Sequence, residues 1–207
     1  MVAALKLTTM PPNTRILQDD SASALLEQLR DRSLRSSQVR NLVGQITQIL
    51  AKSVITPPSP NEQIAIIVIL RSGMAMMEPF VSQLPSDTDN VIYHLGLFRE
   101  KETLQPVEYY NKLPRKSPRI KHGYVLDPLI ATGGTATASI QILKDWGLEK
   151  ITFVSLLASN SGLDAVAGTW SEGVEFIVGA VDQGLDSKGF IQPGLGDIGD
   201  RLFGTTN

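Results

Sequence analysis

The run IAIIVIL, Ile64 to Leu70, constrains the fold more than any other part of the sequence. It is apolar throughout and rich in β-branched residues, so a strand built from it must be covered on both faces. Such strands belong to parallel sheets held between two layers of helix. ITFVSLLAS and VEFIVGAV have the same character, and VLDPLIATGGTATASI opens on a shorter run of the kind. Helical patterns separate them: MAMMEPF after the first run, a stretch closing at Gly147, and another over Ser161 to Gly168. The alternation predicts an α/β fold, a mostly parallel sheet with helices on both faces.

Upstream, Leu25, Leu26 and Leu29 share one face of a helix that Ser21 is placed to cap. A second helix begins near Ser36 or Ser37, where Val39, Leu42, Val43, Ile46, Ile49 and Leu50 form an apolar stripe. TPPSPN, Thr56 to Asn61, ends it, because repeated proline opposes both helix and ladder. Residues up to about Leu17 carry PPN with little periodicity and read as an arm or loop. A strand near Val91 to Leu97 leads into FREKETLQPVEYYNKLP, a polar turn between β-prone runs that reads as a long projecting hairpin. The tail GFIQPGLGDIGDRLFGTTN is glycine-rich and without periodicity, yet Ile191, Leu195, Leu202 and Phe203 argue against disorder. The expected organisation is one domain, 1–207, with an N-terminal arm over 1–20, a hairpin arm over 97–114 and a distinct tail over 189–207.

A chain of 207 residues buries a full core without disulfides or a structural metal. It has no cysteine, which excludes thiol chemistry and cysteine-based zinc sites and is compatible with a reducing cytoplasm, the expected location. A net charge of -2 points to neither nucleic acid nor membrane as a partner. MVAALKLTTM is too short an apolar run for a secretory signal, and Ile64 to Leu70 falls far below the ~20 residues that span a bilayer.

Ligands of parallel sheets bind beyond the carboxyl ends of the strands. Three polar segments leave such ends and are predicted to meet: RSG (Arg71 to Gly73), DPLIATGGT (Asp127 to Thr135) and the tail. A glycine-rich turn entering a helix gathers backbone N–H groups at the positive end of the helix dipole, which suits a phosphate, and Thr132 and Thr135 add hydroxyls. Asp127 would repel a bare phosphate but accepts hydrogen bonds from sugar hydroxyls. Together these features point to a ribose 5-phosphate group. A Thr-Gly-Gly turn is also what a plain tight connection looks like. The spacing is neither that of a P-loop nor that of a dinucleotide fingerprint. His94 and His122 fall inside strand regions away from the loops, which assigns them structural roles. Met74, Met76 and Met77 read as helix packing.

VLDPLIATGGT resembles the 5-phosphoribosyl-1-diphosphate (PRPP) motif of type I phosphoribosyltransferases, and its Asp127-Pro128 pair has the form seen in uracil phosphoribosyltransferases. ILRSGMAMME (Ile69 to Glu78), LFREKETLQPVEYYNKLP (Leu97 to Pro114) and PGLGDIGDRLFGT (Pro193 to Thr205) resemble the same enzymes. The resemblance implies conversion of uracil and PRPP to UMP and pyrophosphate in pyrimidine salvage, with Mg2+ as cofactor and a homodimer or higher homo-oligomer. It implies a PRPP site of Arg71, Arg99, Asp127, Pro128, Leu129, Ile130, Ala131, Thr132, Gly133, Gly134, Thr135 and Asp197. Uracil would be held by Ile191, Gly196 and Ile198 through main-chain contacts, with Asp197 beside it. Asp127 and Arg99 would be catalytic. No protein side chain is expected to hold the metal alone: PRPP would carry it, with Asp197 as the candidate contact.

Two other readings stand beside this one. A regulator that senses PRPP or a nucleotide would keep the site without turnover. An enzyme for a purine or orotate would need a wider pocket, or a cation for the orotate carboxylate, for which the tail offers Lys188 and Arg201. The chain departs from its likenesses in places. Before Ile64 it looks nearer to eukaryotic-type than to bacterial members. Phe190 stands where many relatives have tyrosine, and Ile198 where bacterial ones have alanine, with a modest effect on affinity expected.

Overall fold

The computed structural model describes residues 10–99 and 106–205, with the main chain alone for Arg99. The sheet is built outward from β2 (Gln63–Leu70), flanked in parallel by β3 (Asn90–Arg99) and β5 (Ile120–Leu126). Beyond β5 follow β7 (Lys150–Ser159), β8 (Val174–Asp182) and the short β1 (Thr14–Ile16), again parallel. Beyond β3 lies β4 (Pro106–Asn111), paired antiparallel, which completes the hairpin; residues 100–105 of that expected arm lie outside the described ones.

Side chains of β2 alternate between two cores, as period two requires. Ile64, Ile66 and Val68 pack with α1 (Asp20–Leu29), α2 (Ser36–Val54), α3 (Met74–Val81) and α6 (Ile198–Phe203). Ala65, Ile67 and Ile69 pack with α4 (Gly134–Trp146) and α5 (Asn160–Ala167). Helices therefore cover both faces, as the apolar runs predict. Phe80 of α3 is fully buried, its ring centroid 5.0 Å from that of Tyr124 on β5. Phe80→Ala is expected to lower stability by about 3–5 kcal/mol, read from urea unfolding.

Three expectations need correction. The segment read as an arm or loop over 1–20 contributes β1, with Thr14 to Ile16 paired to Phe176 to Val178, and Asp20 already belongs to α1. The rest of that arm, 1–9, lies outside the described residues. The cap of α1 is Asp19, whose Oδ1 accepts the Ala22 N–H at 2.8 Å, and not Ser21. The tail, read as lacking regular structure, holds α6 and the strand β10 (Ile191–Gln192), paired antiparallel with β9 (Gly184–Leu185).

The chain runs from β2 to β3 on one side and then returns to β5 on the other. The direction of winding thus reverses between β2 and β5, which opens a crevice beyond their carboxyl ends. Gly73 shows how closely the two ends approach. A Cβ there would sit 2.4 Å from the Leu126 carbonyl oxygen and 2.6 Å from that of Ile69, so only glycine fits.

Candidate active site

The crevice is a cleft of about 600 Å3. Arg71 and Ser72 line it from the end of β2, and Asp127, Leu129, Ala131 and Thr135 from the loop after β5. Ile191, Gly196, Asp197 and Ile198 line it from the tail, so the three segments meet as their positions in sequence predict.

Asp127 follows directly on β5, where Pro128, lacking an N–H, interrupts the ladder before the chain rejoins the sheet as β6 (Leu129–Ile130) beside β7. The break is pinned from below. Ser155 Oγ donates to the Asp127 carbonyl at 2.6 Å, and the Leu156 and Leu157 N–H groups reach the Pro128 carbonyl at 3.0 and 3.2 Å. Burial pushes the Asp127 carboxyl up to about 7, against the opposing pull of the Leu129 N–H and the Ser72 hydroxyl. It is poised to ionise near neutral pH when donors arrive.

The following turn packs against α5. Ser159 Oγ donates to the Ala131 carbonyl at 2.5 Å, and it accepts the Gly162 N–H at 2.8 Å. Gly133 has φ 84°, a left-handed value that side chains disfavour, and a Cβ there would lie 2.7 Å from the Gly162 carbonyl oxygen. No side chain caps the start of α4, so its first N–H groups are available at the positive end of the helix. A recess of about 80 Å3 beside the cleft is lined by Ile130, Thr132 and Gly133 and shares Leu129, Ala131 and Thr135 with it. Of the expected PRPP-site residues, Pro128 and Gly134 line neither space. The side chain of Arg99, expected to be catalytic, lies outside the described residues.

Arg71 is 53% exposed; its Nη2 is 3.0 Å from Asp200 Oδ1 and its Nη1 3.4 Å from Thr205 Oγ1. Asp197 caps α6, its Oδ1 accepting the Asp200 N–H at 3.0 Å. Ile191 and Ile198 are buried among core residues and also line the cleft. Gly196 has φ 73°. The Asp186 carboxylate organises the turn before β10 by accepting the Lys188 and Phe190 N–H groups, each at 2.9 Å.

Sequence reading assigned no role to Ser72, Leu97, Phe98 or Tyr109, all of which line the cleft. Ser72 lies inside the RSG segment and Tyr109 inside the hairpin, but their meeting in one cleft is a tertiary fact. The two cations weighed for an orotate carboxylate do not line the cleft. Arg201 donates to the carbonyls of Leu29, Asp31 and Leu195 at 2.8, 2.6 and 2.8 Å. His122 lines a different cavity, with Pro57, Lys121 and Lys150, and its Nε2 is 2.9 Å from Thr152 Oγ1. Burial, and then Lys150, bring its pKa down to about 4, so it stays neutral at physiological pH, in keeping with a structural role.

A reversed-winding parallel sheet, with an acid-proline break leading into a glycine turn at a helix start, is the arrangement that the resemblance to type I phosphoribosyltransferases implies. Comparison with known proteins carries this further. The family model for uracil phosphoribosyltransferase matches residues 55–205, and the chain belongs to that family. It is 48% identical over 206 residues to urg2 of Schizosaccharomyces pombe, provisionally named a uracil phosphoribosyltransferase, covering 99% of this chain and 97% of that one. It is 38% identical over 194 residues to the uracil phosphoribosyltransferase of Roseiflexus castenholzii, covering 86% and 91%. Among solved structures, the AQ2163 protein from Aquifex aeolicus superposes with a TM-score of 0.83 at 26% identity, covering 93% of this chain and 99% of that one. A Bacillus anthracis hypoxanthine-guanine phosphoribosyltransferase, at 14% identity and a TM-score of 0.51 over 75% and 83%, shares the fold.

Proposed function

We propose that the chain transfers the phosphoribosyl group of PRPP to uracil. One observation carries the reading: the Asp127–Thr135 loop and the Gly196–Ile198 segment line the same cleft. The enzyme serves pyrimidine salvage. Uracil N1 bonds to C1 of the sugar as the C1–O bond to pyrophosphate breaks; pyrophosphate leaves with the bonding electrons and the N1 proton is released. The sugar becomes oxocarbenium-like, so catalysis consists mainly of stabilising charge and aligning the base.

Asp127 accepts the ribose hydroxyls while the Ala131–Thr135 turn takes the 5-phosphate, the main chain of Pro128, Leu129 and Ile130 carrying one to the other. Arg71 serves the pyrophosphate, with Arg99 joining it as the family resemblance implies. Main-chain groups of Ile191, Gly196 and Ile198 hold uracil. Cytosine exchanges a carbonyl for an amine and sets donor against donor there.

Magnesium fits the donor chemistry of the cleft. Among the described residues no three acidic or histidine side chains cluster to cage a metal, while Asp127 and Asp197 both line the cleft. A hard cation carried largely by substrate phosphates uses one or two carboxylates in this way. Bound with PRPP, it supplies neutralisation of the leaving pyrophosphate. The exposed Phe98, Val107, Tyr109 and Tyr110 of the hairpin support a homo-oligomer assembled through this edge. Among the described residues no helix is long and apolar enough to cross a membrane. A cytoplasmic location fits the reaction and the absence of cysteine.

The test is a panel of uracil, cytosine, orotate and hypoxanthine with PRPP and Mg2+, following pyrophosphate release and nucleotide formation. UMP is the expected product, with every other base slower by about 100-fold or more. Binding of PRPP without turnover of any base would replace the enzyme with a sensor. Preference for orotate or hypoxanthine would reassign the acceptor.

A further inference from the structure

Behind the tail segment, outside the cleft, lies a largely buried ion pair that the reaction above does not use, its arginine 21% exposed. Asp182 is the last residue of β8 and only 8% exposed. Its two oxygens meet Arg30 of the α1 C-cap at 2.8 and 2.9 Å, and Oδ2 also accepts the Gly194 N–H at 2.9 Å. Arg30 Nη1 donates in turn to the Gly194 carbonyl at 3.3 Å, so both polar main-chain groups of Gly194 end on this pair. The neighbouring carbonyls are also held by guanidinium groups, Pro193 by Arg32 at 3.1 Å and Leu195 by Arg201 at 2.8 Å. Gly194 is admitted by its φ of 57°, and a Cβ there would meet the Ile191 carbonyl oxygen at 1.9 Å. Neither Asp182, Arg30 nor Gly194 lines the cleft, whereas Ile191 and Gly196 on either side of Gly194 do.

We infer that Asp182, paired with Arg30, is a positioning residue for the base: it fixes the main chain at Gly194 and so sets nucleobase affinity and selectivity without touching the ligand. The inference rests on the reading of this tail segment as the uracil site. Recognition by main-chain groups works only if those groups are held within about 0.5 Å of their productive places. A glycine-rich segment has no intrinsic preference for one conformation, and ordering it on binding costs conformational entropy. A buried ion pair is weak evidence for added stability, because desolvation offsets its attraction; fixing one arrangement against others is its better-attested use. Here it ends on both polar groups of one loop residue, which is what that use requires.

The experiment compares Asp182→Asn and Arg30→Lys with the wild type. Asparagine keeps the shape and one acceptor but not the two-pronged pair, and lysine keeps the charge but not the fork. In each, KM for uracil is expected to rise about tenfold or more, equivalent to ~1.4 kcal/mol, with KM for PRPP within about twofold. The ratio of uracil to cytosine turnover falls, and the double variant is less than additive, since both changes break the same bonds. Amide hydrogen exchange across residues 193–199 quickens in both variants. If one variant does not fold, the other carries the same comparison. A lowered melting temperature with uracil KM unchanged in the folded enzyme would overturn the inference and leave an ordinary structural pair. A wild type that forms no UMP would instead overturn the functional reading and this inference with it.

Discussion

Replacing Asp127 with asparagine is expected to lower kcat/KM for PRPP by about 100-fold or more while making the free protein more stable at pH 8. The two effects share one cause. In the folded chain burial keeps the carboxyl protonated to about 7, whereas the unfolded chain loses the proton near the ordinary value of 3.8. Between those values the folded state holds the extra proton, so its stability declines as pH rises through the window and levels off above about 7. At pH 8 the ionised, buried group then costs at most on the order of 4 kcal/mol, which asparagine does not incur. Melting temperatures from pH 4 to 8 should fall more steeply in the wild type than in the variant. PRPP binding runs the other way, because hydroxyl donors favour the ionised carboxylate. Below about 7 its affinity should weaken with falling pH by up to tenfold per pH unit. The phosphates of PRPP ionise over part of the same range, so the difference between wild type and variant isolates Asp127. Loss of activity together with a collapse of the melting transition would make Asp127 a structural residue.

The second large effect is expected at Arg71. Arg71→Ala should reduce kcat/KM for PRPP by about 100- to 1000-fold and weaken product inhibition by pyrophosphate, since a charge-assisted donor to the leaving group is removed. Arg71→Lys should recover part of the loss, as a point charge replaces the fork. Stability should change by less than about 1 kcal/mol in either variant, because the Arg71–Asp200 pair is partly exposed to solvent. A variant altered only in KM for uracil would move Arg71 out of the pyrophosphate site.

Much of this architecture was legible in the residues because burial on both faces leaves a plain mark. β2, β7 and β8 are continuous apolar runs, and α2 shows its stripe over many turns. β1 left no such mark: Thr14 to Ile16 are a strand because β8 offers them an edge, not through any preference of their own. α6 is too short for a helical period to show, and its cap, Asp197, had been read only as a ligand contact. Asp19 and Ser21 lie so close together that spacing alone does not separate them as caps. That the three loops meet was legible for a different reason, since polar segments leaving the carboxyl ends of parallel strands open on one crevice; what each would bind was read from the family resemblance. Ser72, Tyr109 and the Arg30–Asp182 pair carry no comparable mark. Arg30 and Asp182 become partners only when α1 packs beside the end of β8, a juxtaposition created by the whole sheet.

The hold on Gly194 has a consequence for how such a chain can be re-engineered. The family model begins at residue 55, yet Arg30 and Arg32 lie upstream of it. A chimaera that transplanted residues 55–205 onto foreign leading segments would keep Asp182 and Arg201 but lose the guanidinium donors to the Gly194 and Pro193 carbonyls, so the loop would be inherited without half of its supports.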